Sequence, residues 1–575
     1  MKWTLKSPIN SAVLRKFAPI SELEAQLLSN RGIKDLQEAQ EFFDPDLKRL
    51  ADPVTLPGAK EAVKVILKAI KEKKRIVIYG DYDVDGVCST SILFDLLFRY
   101  FKADILPFVP DRFEEGYGLS KIGLDKVLEM GAELIITVDC GIRDAALISK
   151  YLKKGLNFIV TDHHTLPDDK AKKLTKLIPV VHPLLDKEYA FPQICATAVV
   201  FKLMQLLVKE GTDLLQTKPD LNGYLDLVAL ATVCDIMPLI GENRILVNEG
   251  LKLINSENYN EGLKQLSKVA SISSNAFDTY HFGFVLGPRL NAAGRIEHAL
   301  DGVRLLTSKD GSKIKQIAMK LNELNFKRQQ ITKKILEQAL ISAEEQVQKG
   351  NKLIFVYSND WNEGVVGLVA SRINDRYHLP VLVANLSKGI VKGSARSING
   401  FDITQAIALN AELLLKFGGH NQAAGFSLKE ESVENFKNGM QNLALEMITP
   451  EMLLKELQID LSIDLAEVNE DLYNLLQKFK PFGYGNPEPI LIFKRARVFG
   501  TPTAIGQERR HLRFNVTDGQ GHEFQVIGFN MIDKIDTIRT NAEYDLAGNL
   551  SMNTWNGRSN LQIKLKDLKL THEKD

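Results

Sequence analysis

Residues 75–90, RIVIYGDYDVDGVCST, open on an uninterrupted apolar run, Ile76, Val77, Ile78 and Tyr79, and then place Asp81, Asp83 and Asp85 on alternate positions. A short run that is apolar at every residue reads as a strand buried on both faces, the kind found in parallel sheets. Carboxylates that close repel and raise one another's pKa unless a cation lies between them. The strand pattern recurs downstream. Apolar runs at 104–109 (DILPFV), 133–138 (ELIITV), 157–161 (NFIVT) and 178–181 (IPVV) alternate with helical stretches. This alternation predicts a parallel sheet covered by helices on both faces to about residue 210, with helices continuing to about 300.

Each run is followed by groups that can bind a cation. Asp139 follows the run at 133–138, Asp162, His163 and His164 follow 157–161, and His182 follows 178–181. Asp235 stands near the end of the apolar stretch YLDLVALATVCDIMPL. In an open parallel sheet, groups beyond the carboxyl ends of the strands share one crevice. Singly, each has a bland alternative: an Asp after a strand commonly caps a helix or makes a turn, and His182 before Pro183 reads as a satisfied loop residue. Collectively, acids gathered at one sheet edge are costly unless cations neutralise them. Carboxylates with one or two imidazoles and no thiolate favour Mn²⁺ or Mg²⁺ over zinc. The four cysteines, Cys88, Cys140, Cys195 and Cys234, are too dispersed for a zinc pair and read as reduced, buried thiols. Two divalent ions sharing a carboxylate activate water and stabilise the leaving oxygen in phosphoester hydrolysis.

The rest of the chain divides by pattern. With 575 residues, three or four domains are expected. From Ile314, apolar positions at Ile317, Leu321, Leu324, Ile331, Ile335, Ala339, Ala343 and Val347 predict one long helix joining two lobes. A second α/β set begins at KLIFVY (352–357), PVLVA (380–384) and GIVKGSAR (389–396), and after about 455 evenly spaced short strands predict a small β-barrel. The expected boundaries are an N-terminal helical segment at 1–50, a catalytic domain at 51–305, a connecting helix at 306–350, a substrate domain at 351–450 and the barrel at 455–570. The net charge of +1 leaves any nucleic-acid affinity to local patches. Lacking a signal-peptide core or a run of apolar residues of membrane-spanning length, the chain is expected to be cytoplasmic, with no membrane partner.

In this order, GDYDVDG, VDCG, TDHH, VVHP and VCDIMPL resemble the signature blocks of the DHH phosphoesterase superfamily, and the chain is similar to its single-strand-specific exonuclease branch from about residue 50 to about 570. GFVLGPRLNAAGRI (283–296), WNEGVVGLVASRI (361–373), GSARSINGFDI (393–403) and FGGHNQAAGF (417–426) belong to the same resemblance, the last three to a DHH-associated substrate domain. It implies an α/β fold: a parallel-sheet DHH lobe, a long helix, a smaller α/β lobe and an OB-type barrel. It further implies that Asp83, Asp85, Asp139, His163 and Asp235 hold two Mn²⁺ or Mg²⁺ ions, with Asp139 bridging. His164 would contact the scissile phosphate, and Asp162 would orient a ligand histidine. Tyr79 stands where several relatives place a histidine, which makes Asp81 a ligand or a support to one. The implied activity is 5′-to-3′ digestion of single-stranded DNA to 5′-mononucleotides in repair and recombination, by a monomer working with a single-strand-binding protein and a helicase. A DHH phosphodiesterase acting on oligoribonucleotides or cyclic dinucleotides, and a non-catalytic DNA-binding scaffold, are the competing readings.

Substrate contacts are expected in two further places. Gly418, Gly419 and His420, with Ser394 and Arg396, offer backbone N–H groups and donors suited to a phosphate, which the resemblance implies is the terminal one; the alternative is that the glycines merely stop a helix over ALNAELLLKF. Arg289 and Arg295 resemble phosphate contacts, and Arg112 and Tyr117 are expected to line a narrow entrance where bases stack. In the barrel, Lys494, Arg495, Arg497, Arg509, Arg510 and Arg513, opposed in sequence by Glu508 alone and interleaved with Phe493, Phe499 and Phe514, predict a single-strand contact surface. A solvated charged face and core phenylalanines are the alternatives there.

Overall fold

The computed structural model describes residues 1–571 apart from 113, 117, 168–172, 273–276 and 556–557. The chain forms two units, one built from Leu50–Met237 and Leu246–Leu454, the other from Met1–Arg49, Pro238–Ile245 and Lys455–Asp575.

In the larger unit, strands Ile76–Tyr79, Ile105–Phe108, Leu134–Val138, Asn157–Thr161 and Val180–Val181 form an all-parallel sheet, with 105–108 at one edge and 180–181 at the other. The strand 76–79 lies between 105–108 and 134–138, so the direction of winding switches beside it. A crevice opens at such a switch point, beyond the carboxyl ends of the strands. Val77, Tyr79, Ile135 and Val160 pack against Leu124, Val127, Ile148 and Tyr151 of the helices Lys121–Glu129 and Ala145–Leu152. At roughly 1.5–3 kcal/mol for each large apolar side chain buried, this packing holds the strand ends rigidly enough to mount a site.

The helix Gly311–Gln348 runs for 38 residues and is capped by Asp310, which accepts from the N–H groups of Ser312 and Lys313. Its buried stripe includes Ile314, Leu321, Leu324, Ile335, Ala339 and Ala343. The alanine half of the stripe is buried because the helix Val366–Tyr377 approaches it closely through Val369 and Ile373. The following sheet has the order 414–420, 423–429, 390–396, 381–387, 354–358, antiparallel except for its last pair. Its first two strands, Leu414–His420 and Ala423–Lys429, correct the helical reading of ALNAELLLKF: the helix there ends at Ala408.

The second unit contains a closed barrel. Strands Leu491–Ile505, His511–Thr517, Glu523–Gly528, Arg558–Leu570 and Glu543–Trp555 pair in that order, and the last pairs back onto the first. This is the OB connectivity. Phe493 and Phe514 are core, whereas Phe499 is half-buried on the outer face. The N-terminal helices share this core through Phe17, Leu27, Leu28 and Phe42. The buried Arg244 guanidinium lies 3.7 Å from the Phe42 ring centroid and donates to the carbonyls of Phe42, Phe479 and Lys480. Among the described residues no helix is long and apolar enough to cross a membrane.

Candidate metal centre and phosphate-binding floor

The strand 76–79 ends where the helix Val84–Arg99 begins, and the acids are placed by that junction. Asp83 caps the helix by accepting from the Gly86 N–H. A Cβ on Gly86 would lie 2.4 Å from the Asp81 carbonyl oxygen, so only glycine permits so tight a return. The helix-cap reading of a lone Asp is therefore correct for Asp83, which also joins Asp81 and Asp139 in one group whose ligand atoms lie within 4.8 Å of one another. Asp139 holds a left-handed backbone, φ 64°, a region Asp and Asn enter more easily than most residues.

Asp85 points the other way. Its Oδ2 accepts from the Ala196 N–H at 2.7 Å, and its Oδ1 accepts from the Thr197 N–H at 2.8 Å and from Thr197 Oγ1. Asp85 thereby caps the helix Ala196–Glu210, whose own N-cap residue, Cys195, makes no side-chain cap bond. The second lone pair of Oδ2 remains available to a ligand. That oxygen lies 3.8 Å from His163 Nε2.

His163 Nε2 is the convergence point. It stands 3.3 Å from Asp139 Oδ1 and 3.5 Å from Asp235 Oδ2. Burial pushes the imidazole pKa down, against the pull of Asp85. Burial first, and then the neighbouring carboxylates, push Asp81, Asp139 and Asp235 well above the ordinary carboxylate range. Asp81 Oδ1, Asp139 Oδ1, His163 Nε2 and Asp235 Oδ2 are buried and have no hydrogen-bond partner. Ligand atoms of four residues are thus buried at one site without partners, at a cost that protonation or a bound cation relieves. The donor set is oxygen with imidazole nitrogen, which fits Mn²⁺ or Mg²⁺. Asp235 is followed by Ile236, a β-branched residue at φ 56° and two-thirds exposed; side chains of this shape seldom adopt that backbone.

His164 borders this group, with Nδ1 3.8 Å from Asp139 Oδ1, and is held by Asp162. Its Nδ1 lies 2.7 Å from Asp162 Oδ1, and Asp162 also accepts from the N–H groups of His163, His164 and Ile142. Burial works to lower the His164 pKa, but the hydrogen bond and charge of Asp162 outweigh it and raise it. Burial likewise opposes Asp162, yet His164 and then His163 and His182 hold it well below the ordinary carboxylate range. With Nδ1 committed to Asp162, a substrate contact by His164 runs through Nε2. His182 is the satisfied residue of the bland alternative: its Nε2 bonds the His164 carbonyl, its Nδ1 accepts from the Leu184 N–H, and burial pushes it down to about 4. Tyr79 is buried with its hydroxyl donating to the Gly118 carbonyl, away from the acids.

The second lobe contributes a floor of small residues. Gly418 and Ser394 both sit opposite Gly425, and His420 and Arg396 both sit opposite Ala423. Residues two apart in a strand share a face, so Ser394, Arg396, Gly418 and His420 lie on one face, as does Lys416. Gly418 and Gly419 therefore belong to an edge strand, neither a phosphate loop nor a helix stop. Beside Arg396 starts the helix Val366–Tyr377, which has no side-chain cap. A Cβ on Gly367 would stand 3.2 Å from both Arg396 NH2 and Ser394 Oγ, so glycine keeps the helix start open toward these donors. An uncapped helix N-terminus beside Ser and Arg presents donors of the kind that suit an anion. The lobe's WNEGVVGLVASRI block carried this signal as a glycine after a valine pair, but sequence alone assigned it no role.

Arg295 donates to the Gly364 carbonyl and is pushed down to about 10 by burial and then by Arg112 and Arg328. Arg289 donates to Asn322 and to the Val285 carbonyl. Arg328, on the long helix, has a buried Nε without a partner and is lowered by burial, then Arg372 and Arg289. Neither Arg328 nor Arg372, on the helix Val366–Tyr377, stands out in the sequence, because a charged residue on a helix reads as a solvated face. Arg112 stacks 5.1 Å from the Tyr82 ring centroid, and Tyr117 lies outside the described residues.

In the barrel the basic stretch is less open than its sequence suggests. Arg495 pairs with Asp464, Arg497 with Glu543 and Arg510 with Glu508. Arg513 donates to Thr503, while Lys494 and Arg509 are exposed.

Three family descriptions match the chain: "DHH family, N-terminal domain" over residues 75–232, "DHHA1 domain" over 350–445 and "RecJ OB domain" over 459–567. The single-stranded-DNA-specific exonuclease RecJ of Bacillus subtilis strain 168 is 34% identical over 99% of this chain and 70% of its own length. The chain belongs to the RecJ family. Its fold is similar to that of Thermus thermophilus RecJ solved in complex with Mn²⁺, with a TM-score of 0.82 at 29% identity over 99% of this chain and 79% of that one. The Mg²⁺ complex of the T. thermophilus RecJ matches with a TM-score of 0.78 at 27% identity over 99% and 78%. Both metals of the RecJ structures are ones the donor set here suits.

Proposed function

We propose that this chain is a metal-dependent exonuclease that hydrolyses phosphodiester bonds of single-stranded DNA from the 5′ end and releases 5′-mononucleotides. The observation that carries this reading is the set of unpartnered, buried ligand atoms on Asp81, Asp139, His163 and Asp235 in the same unit as a face of anion-binding donors. Asp83, Asp85, Asp139, His163 and Asp235 would hold two divalent cations, with Asp139 shared and Asp81 beside it. Divalent cations held by these residues would supply charge neutralisation for the phosphodiester and lower the pKa of a bound water.

The protein groups do the rest. Helix Ala196–Glu210 fixes Asp85 from behind, so the carboxylate enters the site in one orientation. Ser394, Arg396, the helix start at Gly367 and His420 receive the terminal 5′ phosphate, and Arg289, Arg295 and Arg112 follow the backbone. His164, charged through Asp162, hydrogen-bonds the scissile phosphate and gives a proton to the departing 3′ oxygen. Water adds to phosphorus, the P–O3′ bond breaks, and the shortened strand keeps a 5′ phosphate for the next cycle. We assign catalysis to residues 51–305, the connecting helix to 306–350, terminal-phosphate binding to 351–450 and single-strand contact to 455–570, with Lys494, Arg509 and Arg513 the least encumbered of its cations. The setting inferred is cytoplasmic repair and recombination by a monomer, fed by a helicase and a single-strand-binding protein.

A 5′-phosphorylated single strand labelled at its 3′ end, incubated with Mn²⁺, tests the reading. Progressively shorter labelled products from the strand, none from a blunt duplex and none with Asp139→Asn are expected. Cleavage confined to di- to pentanucleotides would replace it with an oligonucleotide phosphodiesterase.

A further inference from the structure

The helix Gly311–Gln348 changes character halfway along its buried stripe. Leu321 and Leu324 precede, and Ile335 and Ala339 follow, a polar waist of Asn325, Arg328 and Thr332, of which Asn325 and Thr332 are buried. Arg328 is half-buried; its NH2 donates to Asn325 Oδ1 at 2.8 Å, while its Nε is buried without a partner. After burial, the charges of Arg372 and Arg289 lower its pKa, and Arg328 is in turn one of the cations that lower Arg295. The groups that the neighbouring arginines bond are neutral: Asn322 and the Val285 carbonyl for Arg289, the Gly364 carbonyl for Arg295, and Ser371 with the Ala395 carbonyl for Arg396. A buried guanidinium with an unmet N–H and only cations beside it is costly until an anion arrives.

These cations gather round the start of the helix Val366–Tyr377. Gly364, just before it, accepts from Arg295; Gly367 faces Arg396 NH2; Ser371 Oγ accepts from Arg396 Nε at 3.0 Å; and Arg372 follows. Charge selects the occupant. A terminal monophosphate brings a charge of about −2, whereas Arg295, Arg328, Arg372 and Arg396 together carry twice that in positive charge. In the functional reading above, Arg396 takes the terminal phosphate, and Arg289 and Arg295 follow the backbone. A strand ends at its terminal phosphate, so what is left for Arg328 and Arg372 is a longer end, the second and third phosphates of a di- or triphosphate. The planar guanidinium suits phosphate oxygens, which it can bond in pairs.

We propose that Arg328 and Arg372 bind the outer phosphates of a 5′-di- or triphosphorylated strand, so that the terminal site takes polyphosphate ends as well as monophosphate ones. The proposal rests on the exonuclease reading above and deepens it by naming a substrate class. The reaction is unchanged: water adds to the scissile phosphorus, the P–O3′ bond breaks, and the departing 3′ oxygen takes a proton. The first product of a triphosphorylated strand is therefore an intact nucleoside 5′-triphosphate. The shortened strand carries a monophosphate, and mononucleotides follow.

Strands of one sequence ending in a 5′-hydroxyl, 5′-monophosphate or 5′-triphosphate are titrated by fluorescence anisotropy against the full chain in EDTA, which prevents cleavage and removes metal that a triphosphate would chelate. Wild type is expected to bind the triphosphate end about tenfold more tightly than the monophosphate end. Arg372→Gln, at an exposed position that leaves the core untouched, and Arg328→Gln should each lose most of that preference and keep the monophosphate Kd within about twofold. With Mn²⁺ restored, chromatography of the first turnover should show a nucleoside triphosphate released from the triphosphorylated strand. An equal loss on all ends would make the two arginines backbone contacts and overturn the proposal, as would a wild type that prefers the monophosphate. A free nucleoside triphosphate that competes as well as the triphosphorylated strand assigns the cluster to a free nucleotide and overturns it too. In each of those cases Mn²⁺-dependent digestion of the monophosphorylated strand persists and the functional reading stands. Wild type that digests neither strand overturns both.

Discussion

Replacing Asp139 by Asn should stabilise the metal-free protein and abolish its response to metal. The carboxylate sits within 4.8 Å of the ligand atoms of Asp81 and Asp83 and 3.3 Å from His163 Nε2, with no hydrogen bond to Oδ1. At an effective dielectric of about 20, two unit charges at that separation repel by roughly 3–4 kcal/mol. Burial already keeps part of the set protonated, which cuts the relief to about 1–3 kcal/mol. For a protein this large, each kcal/mol moves Tm by about 2 °C, so apo Asp139→Asn should melt about 2–6 °C above wild type. Mn²⁺ at a thousand times its Kd adds about 4.1 kcal/mol to wild type and little to the variant. The order of the two melting temperatures should therefore invert between EDTA and Mn²⁺, as read by scanning calorimetry. Asn is the right replacement because it accepts the φ of 64°, whereas Ala would add backbone strain to the measurement. A variant that melts below wild type in EDTA, or that keeps the full Mn²⁺ shift, refutes the account of the site as a cluster of uncompensated charge.

Thr197→Val removes the hydroxyl that bonds Asp85 and keeps the backbone N–H, so Mn²⁺ affinity should fall by about 10-fold or more in a calorimetric titration, with little change in apo Tm. Arg244→Leu strands the carbonyls of Phe42, Phe479 and Lys480, and the unit that contains the barrel should lose about 3 kcal/mol or more in urea unfolding; Lys at this position should not restore it, because an ammonium cannot reproduce the fork. Asp226, pushed up to about 6 by burial despite bonds from the Leu227 and Asn260 N–H groups, binds its proton more tightly folded than unfolded. The stability that Asp226 contributes is lost as pH rises from about 4 to about 6, by about 3 kcal/mol, and its contribution is constant above that. Asp226→Asn should flatten that interval in denaturation curves, whatever its absolute stability.

The strand-end acids were legible because a parallel sheet brings all its carboxyl ends to one edge, so five short apolar runs sufficed to assemble Asp81, Asp83, Asp139, His163 and Asp162. Asp235 was legible only as a carboxylate at the end of an apolar helix. What escaped depended on partners remote in sequence. Nothing in CATAVV announces that the cap of its helix is Asp85, more than a hundred residues earlier. The strand Leu414–His420 follows an Ala- and Leu-rich stretch whose composition favours helix, and only pairing with 423–429 makes it extended. Arg495 and Arg497 looked unopposed because Asp464 and Glu543 reach them across the sheet, not along the chain.

Gly418 has a use beyond its place in the floor. A Cβ there would meet nothing within 4 Å, and its backbone is ordinary extended strand, so packing makes no demand for glycine. The fold is indifferent to what stands at this position, and only a visiting molecule would notice. A graded series of side chains at residue 418 is therefore a caliper: each step narrows the space above the floor by a known volume, and loss of turnover without loss of melting temperature measures the clearance the visitor requires.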